Sequence, residues 1–320
     1  MLKTALCELL GIDVPIILAP MGSATSAEFA AAVSNNGGLG GIGSLLRTTE
    51  AIKRDIDVVR ELTNRHYAVN HIPPTLNEEA FRYTLAARPA LISFALGDPG
   101  DLVEQAHDVG SKVMLQVTTV AQAVQAAERR VDVIIAQGGE AGGYAGNVST
   151  MALVPQVVDA VSPIPVVAAG GIFDGRGIAA ALMLGAVGVN LGTRFLASIE
   201  APISEQWKQA IARANSEDAI KVDVLNDITP APGTVGFGTV LRSLPTPFLE
   251  EWSTKREEAV RQRDRLREHI VSTHQAGQHA TLLTAGQSSG GIREILPVAD
   301  IMRQLMAEAE TALSTVPKAS

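Results

Sequence analysis

The sequence predicts an α/β protein, a (β/α)8 TIM barrel with a post-barrel insertion and a helical C-terminal segment. Three observations predict it. Eight short apolar runs recur along roughly the first 200 residues, and nearly every one is trailed by a stretch with helical spacing. The runs are apolar throughout instead of alternating, as in parallel strands covered on both faces. Eight such units close into a barrel more readily than they spread into an open doubly wound sheet, the alternative topology.

In chain order, residues 15–20 (P-I-I-L-A-P) form the first strand and 26–36 its helix. Residues 38–44 (G-L-G-G-I-G-S) are the second strand, and 48–63 a helix whose Thr/Glu start suits an N-terminus. The third strand, 67–72 (Y-A-V-N-H-I), stops at Pro73 and Pro74. The fourth is 91–96, with a helix beginning near Asp98 and Pro99. Strand and helix follow at 112–118 and 120–130, then at 131–137 and 151–161. The seventh strand is 165–171 (P-V-V-A-A-G-G), and Asp174 caps a helix reaching about Gly185. The eighth is 188–194 (G-V-N-L-G-T-R), with 204–214 behind it.

Beyond Asn215 the pattern changes. Residues 221–247 are rich in proline and glycine without a clear period, and 248–273 are strongly charged with helical spacing, which reads as one solvated helix. Residues 281–291 form a small-residue loop and 296–313 a final helix. The expected division is a barrel core over 1–214, an insertion or lid over 215–280, and a returning tail over 281–320.

Composition narrows the function classes. Hydrophobic residues make up 46% and charged residues 19%, a globular balance with a sizeable core. The net charge of −8 argues against nucleic acid or an anionic membrane surface as partner. One cysteine, Cys7, excludes an internal disulfide and a cysteine-based metal site, and its place in an N-terminal helix suits a buried structural thiol. No signal-peptide pattern and no apolar run of about 20 residues is present, so the expected compartment is the cytoplasm. A homodimer is compatible with all of this, although nothing in the sequence selects an assembly.

A barrel of this kind carries its chemistry on the loops at the strand C-termini. Those ends supply Ala19, Pro20, Met21 and Gly22; Asn70 and His71; Gln116; Gln137 with Glu140, Gly142, Gly143 and Tyr144; Ala169, Gly170 and Gly171; and Gly192 and Thr193. The stretch 137–146 (Q-G-G-E-A-G-G-Y-A-G) leaves room for a large planar ligand near the backbone. The loops after the seventh and eighth strands carry the glycines and hydroxyl suited to a phosphate. None of the seven lysines ends a strand, so a Schiff-base mechanism is not expected. Carboxylates near the ends are too few for a divalent metal, and no metal site is expected. An apolar, amide-bearing site of this kind suits a bound organic cofactor.

The motifs A-P-M-G at 19–22, A-V-N at 68–70, Q-G-G-E-A-G-G at 137–143, A-A-G-G-I at 168–172, G-T-R-F-L-A at 192–197 and A-G-Q-S-S-G at 285–290 occur in the order of one family. Together with the 222–248 stretch, they make the chain resemble the nitronate monooxygenases, FMN-dependent TIM barrels related to flavin enoyl and quinone reductases. The resemblance implies FMN as cofactor. It places residues 19–22 against the flavin ring, Asn70 and Gln116 at its pyrimidine edge or ribityl chain, and Gly170, Gly171, Gly192 and Thr193 at the phosphate. Gln287, Ser288 and Gly290 would close over the cofactor.

It further implies a small-molecule substrate, a nitronate or nitroalkane, with O2 as oxidant. The alternatives are an NAD(P)H-dependent flavin reductase acting on a quinone or enoyl thioester, and an FMN-binding protein without catalysis. A cofactor-free phosphate-binding isomerase is a further reading.

One position departs from the family pattern. Members that oxidise nitronates usually read E-A-G-G-H, with the histidine as base, whereas this chain reads E-A-G-G-Y. Tyr144, with an ordinary pKa of about 10, donates a proton or hydrogen bond better than it abstracts one. His71 is the replacement base the sequence offers.

Overall fold

The computed structural model describes residues 2–232 and 239–315. The barrel strands are β1 (Ile16–Leu18), β2 (Gly40–Gly43), β3 (Tyr67–His71), β4 (Leu91–Phe94), β5 (Lys112–Val117) and β6 (Val133–Gln137). A short strand, β7 (Gly143–Ala145), then leaves the ring, which resumes with β8 (Val166–Ala169) and β9 (Gly188–Leu191). All eight ring strands are parallel, in the order β1-β9-β8-β6-β5-β4-β3-β2. A parallel bridge between Ile17 and Leu39 joins the two ends.

Side chains alternate across each strand, and this sorts the barrel into two cores. Ile92, Phe94, Val113, Leu115, Ile134 and Val189 point outward against the helices. Ile17, Ala68, Leu91, Met114, Val133 and Val167 point inward and fill the N-terminal half of the barrel. Leu6, Cys7 and Leu10 of the helix Ala5–Leu10 pack into that inner cluster. Cys7 is the buried structural thiol expected.

The helices start where small polar residues can accept an orphan amide hydrogen. Thr48 accepts from the Ala51 amide and Asp174 from the Gly177 amide, so both expected starts hold. The sequence reading named no helix between the third and fourth strands. One spans Glu78–Ala87, capped by Asn77, whose side chain accepts from the Ala80 amide at 3.0 Å. The C-terminal helix Val298–Thr315 packs on Gly175–Met183 and buries Ile301, Met302, Leu305 and Ala309.

The post-barrel segment forms a cap. Strands β10 (Ile220–Lys221), β11 (Val240–Leu244) and β12 (Leu283–Thr284) join β7 in an antiparallel sheet with β11 at its centre. The helix Asp223–Ile228 supplies order where the sequence shows no period, and residues 233–238 of that stretch lie outside the described residues. The single solvated helix expected over 248–273 is corrected to three, Pro247–Thr254, Arg256–Arg261 and Arg263–Gln275. They bury Leu249, Trp252, Ala259, Leu266 and Ile270 against Val224 and Leu225. Among the described residues, no helix is long and apolar enough to cross a membrane.

Candidate active site

At the C-terminal ends of the ring strands lies a cavity of about 280 Å³, just below the ~300–1,000 Å³ usual for ligand sites. Strand parity decides which side chains reach it. Above the apolar inner core, the next inward positions are Asn70 on β3, Gln116 on β5, Gln137 on β6 and Asn190 on β9, and all four line the cavity. Asn70 is held by donating to the Ser93 carbonyl and hydroxyl, both at 3.1 Å. The Gln137 Oε1 and Asn190 Oδ1 atoms are buried and have no hydrogen-bond partner among the described residues.

The loops are tied together before any ligand is considered. The Thr25 hydroxyl donates to Gly22 O at 2.8 Å and accepts from the Gly43 amide at 2.9 Å, joining the loop after β1 to the end of β2. Gly22 has φ +57°, and a Cβ there would stand 2.6 Å from Leu45 O, so only glycine fits. Ala19, Pro20 and Met21 line the cavity beside it.

Glu140 organises the loop after β6. Its carboxylate accepts from the Thr150 amide at 2.9 Å and the Thr150 hydroxyl at 3.0 Å. From the cap, Arg242 donates to Gly139 O at 2.7 Å and to Ala219 O, while Lys221 donates to Gly146 O and to Asn147 Oδ1. Burial pulls both cations down from their ordinary range, and the Glu140 charge pushes them back up. The carboxylate thus holds the loop, and its charge favours the charged form of both braces. At Gly142 a Cβ would fall 2.7 Å from Gly286 N, so this loop and the 285–288 loop meet backbone to backbone.

Gly142, Gly143, Ala169, Gly170, Gly171, Gly192, Thr193 and Ser288 all line the cavity. The Thr193 hydroxyl accepts from the Gly286 amide at 2.9 Å, which leaves its own hydrogen free to donate. The helix start at Gly175 is already occupied: Glu308 accepts from the Gly175 amide at 2.9 Å and Asp174 from Gly177. An anion at these loops therefore falls to the glycine turns and Thr193.

Three expected residues stand elsewhere. His71 does not line the cavity. As the neighbour of Asn70 on β3, its side chain takes the opposite face of the strand, packs edge-on against Phe81 and bonds Thr84 Oγ1 at 2.9 Å. Burial pulls its pKa down to about 4. It is a neutral core residue and not a base. Gln287 meets the site only through its backbone amide, which donates to Glu140 O at 2.9 Å, and Gly290 lies against Ser216.

Tyr144 sits on β7, opposite Leu241 of β11, and does line the cavity. Its hydroxyl donates to Thr229 O at 2.9 Å. Burial pushes the phenol up, and the Thr229 bond and the Arg267 charge pull it only partly back. It is therefore a neutral donor at any ordinary pH.

The sequence reading missed Asn190 and the wall supplied by Ile72, Leu96, Trp207, Ile270 and Arg267. Asn190 was readable, since it precedes Gly192 by two residues and so shares its face. The cap residues carried no such signal. Among the described residues, no cluster of His, Cys, Asp or Glu is placed to hold a metal.

A parallel barrel with a glycine-walled, amide-floored cavity at its C-terminal mouth has the architecture of a barrel enzyme that binds its ligand at the strand ends. A family model described as nitronate monooxygenase matches residues 3–81 and 79–308. A probable nitronate monooxygenase of Staphylococcus aureus strain JH9 is 32% identical, over 78% of this chain and 81% of that protein. Among solved structures, FabK from Thermotoga maritima superposes with a TM-score of 0.89 at 30% identity, covering 98% of each chain. A nitroalkane oxidase from Streptomyces ansochromogenes gives 0.84 at 27%, covering 98% of this chain and 100% of that one. The chain belongs to the nitronate monooxygenase family and is an oxidoreductase. Membership implies a flavin.

Proposed function

We propose that this protein is an FMN-dependent oxidoreductase that oxidises small nitronates already in their ionised form, with O2 as the terminal acceptor. The observation that carries the reading is the cavity's lack of a base. Among the described lining residues there is no His, Asp, Glu or Lys, and Tyr144 is a neutral phenol engaged to Thr229. A neutral nitroalkane would have to lose a carbon-bound proton, and no group here accepts it near neutral pH. A nitronate has lost it in advance.

The site's residues fit FMN. The partnerless amide oxygens of Gln137 and Asn190 await hydrogen-bond donors of the kind an imide N–H or ribityl hydroxyl provides. Met21, Gly22, Gly142 and Gly143 would lie against the ring, Asn70 and Gln116 at its polar edge, and Ala169, Gly170, Gly171, Gly192, Thr193 and Ser288 at the phosphate. Held by these residues, FMN would supply a two-electron acceptor for the substrate that O2 could reoxidise. The chain's own part is to bind, orient and keep the site free of competing charge.

Anaerobic stopped flow tests this. A pre-ionised alkyl nitronate should bleach the flavin, and kcat/KM for the parent nitroalkane should follow its ionised fraction. Bleaching by NADPH but not by any nitronate would sink the reading in favour of a reductase.

A further inference from the structure

Towards its mouth the cavity is walled by apolar side chains, among them Leu46, Ile72, Leu96, Ile270 and Val271. Arg267 is the exception. It lies on the helix Arg263–Gln275, is exposed, and is the only charged side chain among the described residues lining the cavity. Among the described residues it forms no hydrogen bond or ion pair. The charged groups around it are Asp264 and Glu268 on its own helix and Arg47 across the adjoining groove. Asp264 pairs with Arg263 at 3.5 Å and Arg47 with the buried Asp55 at 2.6 Å, leaving Glu268 without a partner in the groove. The Arg267 charge reaches inward, where it pulls against the burial-raised phenol of Tyr144.

A chain of net charge −8 repels anions at long range. An unpaired guanidinium at an apolar mouth reverses that locally, because low-dielectric walls focus its field. Its planar fork also matches the two oxygens of a carboxylate or nitronate.

We infer that Arg267 is the specificity-determining residue that admits the substrate as an anion and discriminates against its neutral tautomer. This rests on, and deepens, the nitronate reading above. A site without a base cannot interconvert the two tautomers, so selection has to occur at binding. The protonation state is then chosen at the mouth and the chemistry happens on the floor.

The test uses the flavin-loaded protein, its Arg267→Gln and Arg267→Lys variants, and Glu268→Gln as a control on the same helix. Propanoate, an unreactive planar oxyanion, and propanamide, its neutral counterpart, are titrated by calorimetry. The expected result is that Arg267→Gln weakens propanoate about tenfold, as for a screened charge-assisted hydrogen bond, while propanamide is unaffected. Arg267→Lys should recover part of the loss, and Glu268→Gln should weaken neither ligand.

With ethyl nitronate, Arg267→Gln should raise KM, leave kcat, and flatten the salt dependence of kcat/KM. Equal propanoate binding by wild type and Arg267→Gln overturns the inference even if nitronates bleach the flavin. If no nitronate bleaches wild type while propanoate still depends on Arg267, the nitronate reading fails and admission of anions stands.

Discussion

At the scale of single residues, Tyr144 keeps the donor character the sequence suggested, while His71, the expected base, stands off the cavity. The E-A-G-G-Y motif marks Tyr144 as the departure from the family, and the structure gives that departure a consequence, a phenol whose proton is committed to the Thr229 carbonyl. Tyr144→Phe should cost about 1 kcal/mol of stability by leaving that carbonyl unpaired, measured as a lower urea midpoint, with kcat/KM for nitronates held. Tyr144→His should add turnover of neutral nitroalkanes, up to the ~100-fold or more that a positioned base supplies, read as nitroalkane-dependent oxygen uptake rising through the imidazole pKa.

His71 makes a different prediction. Its folded pKa of about 4 lies below the unfolded value of about 6.5. The unfolded chain therefore binds the proton first as pH falls. The stability contributed by this group is complete above about 6.5 and lost progressively towards 4, by roughly 3 kcal/mol at most. Urea midpoints at pH 7 and pH 5 should differ less in His71→Leu than in wild type. Parity of two on a strand separates these fates: Asn70 faces the cavity and His71, one residue later, cannot. The same parity makes Asn190 legible, because it is in phase with Gly192, whereas a strand-end position alone does not distinguish the two faces.

At the scale of elements, the loop 137–147 is more than a glycine turn around a ligand. The sequence shows its glycines and its carboxylate, but the loop's partners come from elsewhere: Thr150 on the following helix holds Glu140, and Arg242 and Lys221 in the cap donate to Gly139 O and Gly146 O. Such contacts between residues distant in sequence leave no local pattern, which is why β7 and the cap sheet went unread while the barrel strands did not. Arg242→Met should leave the Gly139 and Ala219 carbonyls without their donor. With roughly 1–3 kcal/mol for each buried group left unsatisfied, the melting temperature should fall and flavin content with it. Gly142→Ala should act more selectively, because its Cβ collides with the 285–286 backbone at 2.7 Å. Its expected signature is loss of the 450 nm flavin band from purified protein that keeps its far-UV spectrum. A full flavin complement in that variant would show that the two loops can part without harm to the site.

At the scale of the whole molecule, the eight apolar runs made the barrel legible, because each strand's outer face is buried on its own helices and the pattern is local. The cap was hidden by charge: a stretch such as 256–275 carries many Arg and Glu residues, and only Ala259, Leu266 and Ile270 mark the face it buries. That face is continuous with the barrel's chemistry. The strand β7 belongs to the cavity loop yet pairs with β11, and β12 pairs with β11 before the chain returns to the 285–288 loop. Trp207, on the helix Glu205–Arg213 after the last barrel strand, donates to Thr284 O of β12 at 3.2 Å. The cap has a small core of its own, but its sheet includes the cavity-loop strand β7 and is tied to the barrel through Trp207, so the two should unfold as one cooperative unit. The two tryptophans report on the two parts, Trp207 beside the barrel and Trp252 within the cap. Denaturation of Trp207→Phe and Trp252→Phe, each followed by its remaining fluorescence, should give midpoints that coincide with the circular dichroism transition of the same variant. A Trp252 signal that moves at lower urea than the far-UV band would mean that the cap folds apart from the barrel, and that the loop braced by Arg242 and Lys221 orders only after the barrel has formed.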